Sequence, residues 1–234
     1  MVKKLASGII VVICAFLLGL ATYLLIIFAG DYMIDEEKLV LNETTTIVDE
    51  NDRLITKLFV ENRELVAGTE IPKHVKEAFI ATEDARFHDH YGIDIKAILR
   101  ALYRDILAGG KVEGGSTITQ QLAKRVFLSD DKTFLRKTKE VLIAMNLERK
   151  YSKEKILELY LNQIYFGHGA YGIQSAANRF FNKDVSELSV TDGALLAAIP
   201  KAPSTYSPLV HPETSKERRN LVLSLMTEQG YLDA

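Results

Sequence analysis

The sequence has almost no cysteine for disulfide bonds and almost no net charge that would attract a charged polymer such as nucleic acid. Only one of its 234 residues is cysteine, and the formal net charge at pH 7 is −2. The single Cys14 excludes an internal disulfide, and a nearly neutral chain has no overall attraction to nucleic acid. Nucleic acid is therefore not an expected partner, and any anion-binding surface must come from local clusters of lysine and arginine.

Two chemical signatures are missing as well. The spacing Gly-x4-Gly-Lys-Ser/Thr of a Walker loop does not occur. His88 and His90 are one residue apart, and no third ligand follows at a matching spacing, so the sequence predicts no certain metal site. With 47% hydrophobic residues and no internal repeat, the chain has the composition of a folded globular body.

Charge is also absent from a long N-terminal stretch, Leu5 to Gly30. As a helix rising about 1.5 Å per residue, this stretch reaches roughly 39 Å, more than the roughly 30 Å of a bilayer's hydrocarbon core. We therefore predict one transmembrane helix over 5–30. The alternative is a cleaved signal peptide, whose apolar region is shorter, about 7–15 residues.

Charges on either side of this stretch predict its orientation. Lys3 and Lys4 precede it, while Asp31, Asp35 and Glu36 follow. By the positive-inside rule, the short N-terminus is cytoplasmic and the rest of the chain lies outside. The predicted organisation is a cytoplasmic tail, a single-pass helix, a linker and an extracytoplasmic domain, over residues 1–4, 5–30, 31–43 and 44–234.

Hydrophobic periodicity predicts a mainly α-helical domain. β-Branched and apolar residues surround the polar run Asp49–Asp52, which is typical of a β-hairpin. After Pro72, apolar residues recur at helical spacing in one segment after another. Thr133 begins one such segment, and its apolar residues Leu135, Leu142 and Met145 are expected to be buried.

A pair of carboxylates lies near the end of the first of these helices, which Gly92 is suited to stop. Glu83 and Asp84 follow the apolar run Ala78–Ala81, so packing of that run would carry Glu83 to the wall of a cleft. A carboxylate in such a position is a candidate general base. The alternative is a solvated acid at a helix end, paired with Arg86 three residues on.

Two glycines and two hydroxyl residues directly precede a later predicted helix. In Gly114-Gly115-Ser116-Thr117, free backbone N–H groups, hydroxyl donors and the positive end of a helix dipole point at one place. This arrangement suits phosphate oxygens, and Lys124 lies two turns along the helix to supply full charge. An ordinary helix N-cap is the alternative.

A cationic cluster follows. Arg136 and Lys137 lie four and three residues before Glu140, so both cations can contact this carboxylate on one helical face. Lys124 and Lys132 are near in sequence. The cluster predicts a cationic pocket that holds one carboxylate, and the alternative is a surface ion-pair ladder that contributes little to stability.

Together these residues resemble the peptidoglycan glycosyltransferases of family 51, which occur as monofunctional enzymes and as N-terminal modules of class A penicillin-binding proteins. Four motifs carry the resemblance: Glu83-Asp84-x-x-Phe87-x-x-His90-x-Gly92, Gly114 to Gln121, Arg136-Lys137-x-x-Glu140 and Lys155 to Asn162. The resemblance implies a lysozyme-like helical fold with a small β-hairpin and a membrane-embedded jaw.

The resemblance also implies an activity and its residues. Family members polymerise lipid II at the outer face of the bacterial cytoplasmic membrane, with inversion at the anomeric carbon and release of undecaprenyl pyrophosphate, and moenomycin binds them. Glu83 would be the base, and Glu140 would organise the cations or help the leaving group. The residues expected to bind substrate are Asp84, Phe87, His90, Gly115, Ser116, Thr117, Gln121, Lys124, Lys132, Arg136, Lys137 and Asn162. The implied partners are lipid II, the growing lipid-linked glycan, the membrane and other cell-wall synthesis proteins, and Mg²⁺ or another divalent cation can assist at the pyrophosphate.

Two other functions fit parts of this pattern. A lytic muramidase on a similar helical fold would cleave finished glycan and would need neither Lys124 nor Lys137. A non-catalytic scaffold that recruits wall-synthesis proteins would tolerate the loss of both Glu83 and Glu140.

Overall fold

The computed structural model describes residues 2–29, 34–41, 43–110, 114–128 and 133–233. Within these ranges the protein is mainly helical. The helices are α1 Val2–Ala29, α2 Lys73–Glu83, α3 Ile95–Ala108, α4 Ile118–Phe127, α5 Phe134–Lys150, α6 Lys153–Gln163, α7 Ile173–Phe181, α8 Val190–Ala198 and α9 Pro212–Glu228. The strands are β1 Thr45–Val48, β2 Leu54–Leu58, β3 Asn62–Arg63 and β4 Ala170–Tyr171.

The N-terminal helix α1 covers 28 residues. Among its described side chains, Val12, Phe16 and Leu18 are 69%, 69% and 71% exposed. A search of the described residues finds no helix with an apolar stretch long enough to cross a membrane.

The strands form two small sheets. β1 pairs antiparallel with β2, which confirms the hairpin, and the chain turns at Asp49, whose carboxylate accepts from the backbone N–H of Asn51 and Arg53. β3 pairs parallel with β4, so the segment before α2 is joined to the loop between α6 and α7. Neither sheet contributes much to the core, which is helical.

The core lies between two groups of helices. α2 packs against α8 and α9, and α4 packs against α5 and α6. Phe79 of α2 and Phe166 meet edge to face with ring centroids 6.0 Å apart, and both are fully buried with Tyr160 and Leu147. α2 therefore lies inside the domain, and its last residue, Glu83, has a fixed position at the edge of the core.

Side-chain caps fix where several helices begin. The side chains of Asp94, Thr117, Thr133 and Ser152 accept hydrogen bonds from the first turns of α3, α4, α5 and α6. Such caps satisfy backbone N–H groups that have no partner inside the helix. The cap of α4 is Thr117 and not the neighbouring Ser116, so the Ser116 hydroxyl can make contacts elsewhere.

The predicted buried face of α5 was wrong in part. Leu135 and Met145 are 47% and 43% exposed, and the residues buried on this helix include Ile143, Leu147 and the carboxylate of Glu140. The reason is that Glu140 brings its own positive partners, so it can face inward where an isolated charge could not. The helix is therefore rotated away from the orientation that apolar residues alone would choose.

Gly92 permits a close contact that holds this arrangement. Its φ is +87°, and a Cβ at this position would lie 2.9 Å from backbone atoms of Ala144 and Met145 in α5. We expect Gly92→Ala to lower the free energy of unfolding by at least about 3 kcal/mol, because backbone strain and steric overlap add. Gly109→Ala is the matched control, since its φ is also positive, +66°, but its surroundings are open. Urea denaturation would check both variants, and equal losses would contradict the role of the α5 contact.

Candidate active site

A groove of about 1110 Å³ begins at the C-terminal end of α2. Glu83 and Asp84 form one part of its wall, and Gly115, Ser116 and Thr117 form another. The groove continues along α3 and ends at α9. Two sequence-predicted motifs that lie about thirty residues apart in the chain therefore line a single space.

A hydrogen-bond chain leads from the core to Glu83. Gln121 Nε2 on α4 donates to Glu83 Oε2 at 2.8 Å, and the Tyr160 hydroxyl donates to Gln121 Oε1 at 3.3 Å. Burial, and then the charge of Glu83, raises the pKa of the Tyr160 hydroxyl well above its usual value, so this hydroxyl stays protonated and can donate. The chain orients the amide of Gln121 and thereby holds one oxygen of the Glu83 carboxylate at the wall of the groove.

Asp84 joins two of the sequence motifs inside the protein. Its carboxylate accepts from the backbone N–H of Ile118 at 3.0 Å, at the start of α4, and both oxygens lie 3.0 Å from His90 Nε2. A carboxylate at a helix N-terminus also interacts favourably with the helix dipole. Asp84 therefore fixes α4, and with it Gln121, relative to Glu83.

The cationic cluster adjoins the same groove through Ser116. Lys137 Nζ donates to Ser116 Oγ at 2.8 Å and to Glu140, while Arg136 Nη1 donates to Glu140 Oε2 at 2.6 Å. The Glu140 side chain is only 4% exposed, whereas that of Lys137 is 42% exposed. Buried Glu140 thus holds both cations on one face of α5, and Lys137 remains accessible beside the groove.

Lys124 lies in a second, smaller pocket. This pocket, of about 370 Å³, is lined in part by Lys124, Arg125, Tyr171 and Gln121. Gln121, whose amide holds Glu83, lines both the groove and this smaller pocket. Lys124 and Lys137 therefore have different surroundings. Lys124 lines the smaller pocket together with Gln121, whereas Lys137 contacts Ser116 at the groove.

Three other residues predicted to bind substrate lie in the interior. Phe87 is fully buried, with the Lys153 Nζ 4.4 Å from its ring centroid, and His90 is 6% exposed against Asp84. Asn162 is 4% exposed, and its amide bonds to the backbone of Val66 and Glu158. Their contact with substrate stays a prediction, and Lys132 lies outside the described residues.

The far wall of the groove was not predicted from the sequence. The residues there include Arg100 and Arg104 on α3, Lys201 after α8, Arg218 on α9 and Gln229 directly after α9. Arg100 and Arg104 are four residues apart on a predicted helix, so a search for cations at helical spacing would have found them. Lys201 and Arg218 are more than a hundred residues from Glu83 and form no local pattern with it.

In the part of the chain that the structure describes, no group of three or more histidine, cysteine, aspartate or glutamate side chains is placed to hold a metal ion. The carboxylates Glu83 and Glu140 are each held by neighbouring protein donors.

Comparison with known proteins identifies the class. A family model described as Transglycosylase matches residues 51–227, which contain all the motif residues discussed above. The chain therefore belongs to the transglycosylase family, and the resemblance to the glycosyltransferases of family 51 is confirmed.

Relatives give the context of this domain. The chain is 62% identical, over 99% of its length, to penicillin-binding protein 1F of Bacillus subtilis, and 47% identical, over 98%, to penicillin-binding protein 1A of Aquifex aeolicus. It spans 32% of the length of each of these two proteins. A crystal structure of penicillin-binding protein 1A from Haemophilus influenzae aligns over 82% of this chain and 19% of the other, with 26% identity and a TM-score of 0.47.

Proposed function

We propose that this chain is a peptidoglycan glycosyltransferase that polymerises lipid II into β-1,4-linked glycan strands. One observation carries the proposal: Glu83 and Ser116 line the same groove and Lys137 donates to Ser116, so a base and a cation can act on one bound substrate. Family membership supports the proposal, and so does the chemistry of a carboxylate, Glu83, and a cation, Lys137. A hydroxyl attacks efficiently when a base removes its proton, and a departing pyrophosphate needs positive charge.

The role of Glu83 is to accept the proton of the attacking sugar hydroxyl. Gln121 holds one carboxylate oxygen, so the other can face the 4-hydroxyl of the incoming lipid II. As the new glycosidic bond forms on one side of the anomeric carbon, the bond to the pyrophosphate breaks on the opposite side. A direct displacement of this kind inverts the configuration, and the proton passes to Glu83.

The role of the α5 cations is to bind the leaving pyrophosphate. Lys137 is the accessible cation beside Ser116, and Arg136 adds charge from the far side of Glu140. Both are held in place before the reaction, so no reorganisation is needed as negative charge grows on the leaving group. Because pyrophosphate is a good leaving group, the acid that a glycosidase needs at the departing oxygen is less necessary.

Exposed apolar helices near this site support a membrane location. On α3, Ile95, Leu99 and Ile106 are 67%, 60% and 69% exposed, and Phe134 at the start of α5 is 78% exposed. Contiguous exposed apolar surface of this kind is typical of membrane or protein contact. We propose that α1 anchors the chain in the cytoplasmic membrane with its lysines inside, and that α3 and the start of α5 touch the outer leaflet, where lipid II is found.

A two-substrate assay tests this function. We expect purified protein to convert labelled lipid II to polymer, to release lipid pyrophosphate, and to be blocked by moenomycin, a phosphoglycolipid. The same preparation should leave finished glycan strands intact. Cleavage of finished strands without turnover of lipid II would establish the muramidase alternative, and inertness toward both would favour the scaffold.

A further inference from the structure

Helix α1 contacts the domain at the first turns of α5. The Tyr23 hydroxyl lies 2.6 Å from Thr138 Oγ1, and the rings of Tyr23 and Phe134 lie 5.8 Å apart between centroids. Thr138 Oγ1 also donates to the Phe134 carbonyl at 3.1 Å. Because a hydroxyl has one proton, Tyr23 must be the donor to Thr138. The contact is therefore a directional bond between two helices.

This bond acts on the part of α5 that carries the cations. Thr138 directly follows Lys137, the lysine that reaches Ser116 on the groove. Among the described residues of α5, those that precede Glu140 are exposed or half-buried, so core packing holds this end of the helix weakly. The bond from Tyr23 of α1 to Thr138 therefore holds the first turns of α5, which make few contacts with the core.

The chain that follows α1 is docked as well. Ile34 and Leu39 pack against the hydrophobic core, and Glu36 forms an ion pair with Lys150, the last residue of α5. An exposed ion pair contributes little by itself. Together with the Tyr23 contact, however, it means that the N-terminal segment touches α5 near both of its ends.

We propose that Tyr23 is a positioning residue: by bonding to Thr138 it holds the first turns of α5 so that Lys137 faces the pyrophosphate-binding side of the groove. The inference rests on the proposed function, because Lys137 has a catalytic role only there. It assigns to α1 a part in the reaction in addition to attachment.

Kinetics of conservative variants test the proposal. We expect Tyr23→Phe and Thr138→Val to lower kcat for lipid II polymerisation about threefold to tenfold, the effect of one lost hydrogen bond, with little change in KM. Thr138→Ser keeps the hydroxyl and should retain the parent rate. Thr22→Val is the matched control, because the bond that the Thr22 hydroxyl makes among the described residues stays within α1, to the Leu18 carbonyl. In a Lys137→Ala background, Tyr23→Phe should have no further effect.

Hydrogen exchange separates this inference from the proposed function. In the full chain, Tyr23→Phe should speed amide exchange in residues 134–140, and Thr22→Val should not. Unchanged exchange would overturn the inference even if the protein polymerises lipid II. Faster exchange with an unchanged kcat would overturn it too. So would a result in which Tyr23→Phe lowers kcat by the same factor in the Lys137→Ala protein as in the parent. If the parent protein has no polymerase activity, the proposed function fails, and exchange alone decides whether Tyr23 holds α5.

Discussion

Glu83→Gln is expected to reduce the initial rate of lipid II polymerisation about 10²-fold to 10⁴-fold, the usual contribution of a general base. The substitution keeps the size of the side chain and leaves an oxygen to accept from Gln121 Nε2, so the groove should keep its shape. The substituted amide cannot take up the proton of the attacking hydroxyl. Substrate should therefore still bind, and KM should change much less than kcat.

Glu77→Gln is the matched control for that variant. Glu77 lies on the same helix, α2, is half-buried, pairs with the exposed Lys73 at 3.4 Å and is not among the residues that line the groove. Its neutralisation removes the same charge without touching the groove, so the rate should stay within about twofold of the parent. A Glu83→Gln protein that retains a rate near the parent's, while folded by circular dichroism, would remove Glu83 from its assigned role.

Lys137→Ala is expected to lower kcat about 10²-fold, because it removes the accessible cation nearest to the departing pyrophosphate. It also leaves Glu140 with Arg136 as its remaining ion-pair partner among the described residues. Lys139→Ala is the control, since Lys139 is on the same helix but two residues along, on a different face. Rates of lipid pyrophosphate release would check both variants.

The size of the Lys137 effect also separates the candidate reactions. An enzyme that cleaves finished glycan releases no pyrophosphate and so has no use for Lys137 in the reaction. Equal activity of Lys137→Ala and Lys139→Ala would therefore contradict the leaving-group role and would favour the muramidase alternative.

Local signals in the sequence were enough to predict much of the site. The position of Glu83 near the end of α2 was predicted from the apolar run before it, although Gly92 was the expected stop, and the start of α4 was predicted to within one residue, at Ser116 or Thr117. Both depend on residues within a few positions of each other. The pairing of Arg136 and Lys137 with Glu140 was predicted for the same reason, because all three share one helical face.

Long-range packing could not be predicted in this way. Nothing local shows that Asp84 turns inward to His90 and Ile118, or that Tyr160 on α6 reaches Gln121. The burial of Glu140 in place of Leu135 is a case in which ion pairing overrides hydrophobic periodicity. Lys201 and Arg218 reach the groove only because α8 and α9 pack against α2.

The stereochemistry of a single turnover tests the central claim, that Glu83 acts as a base in a direct displacement within this groove. Lipid II should be transferred to an acceptor under single-turnover conditions, with the new linkage examined by NMR and the Glu83 peptide by mass spectrometry. The account predicts inversion relative to the lipid-linked donor and no sugar attached to Glu83. Retention of configuration, or a glycosyl adduct on Glu83, would show that this carboxylate is a nucleophile and would contradict the account.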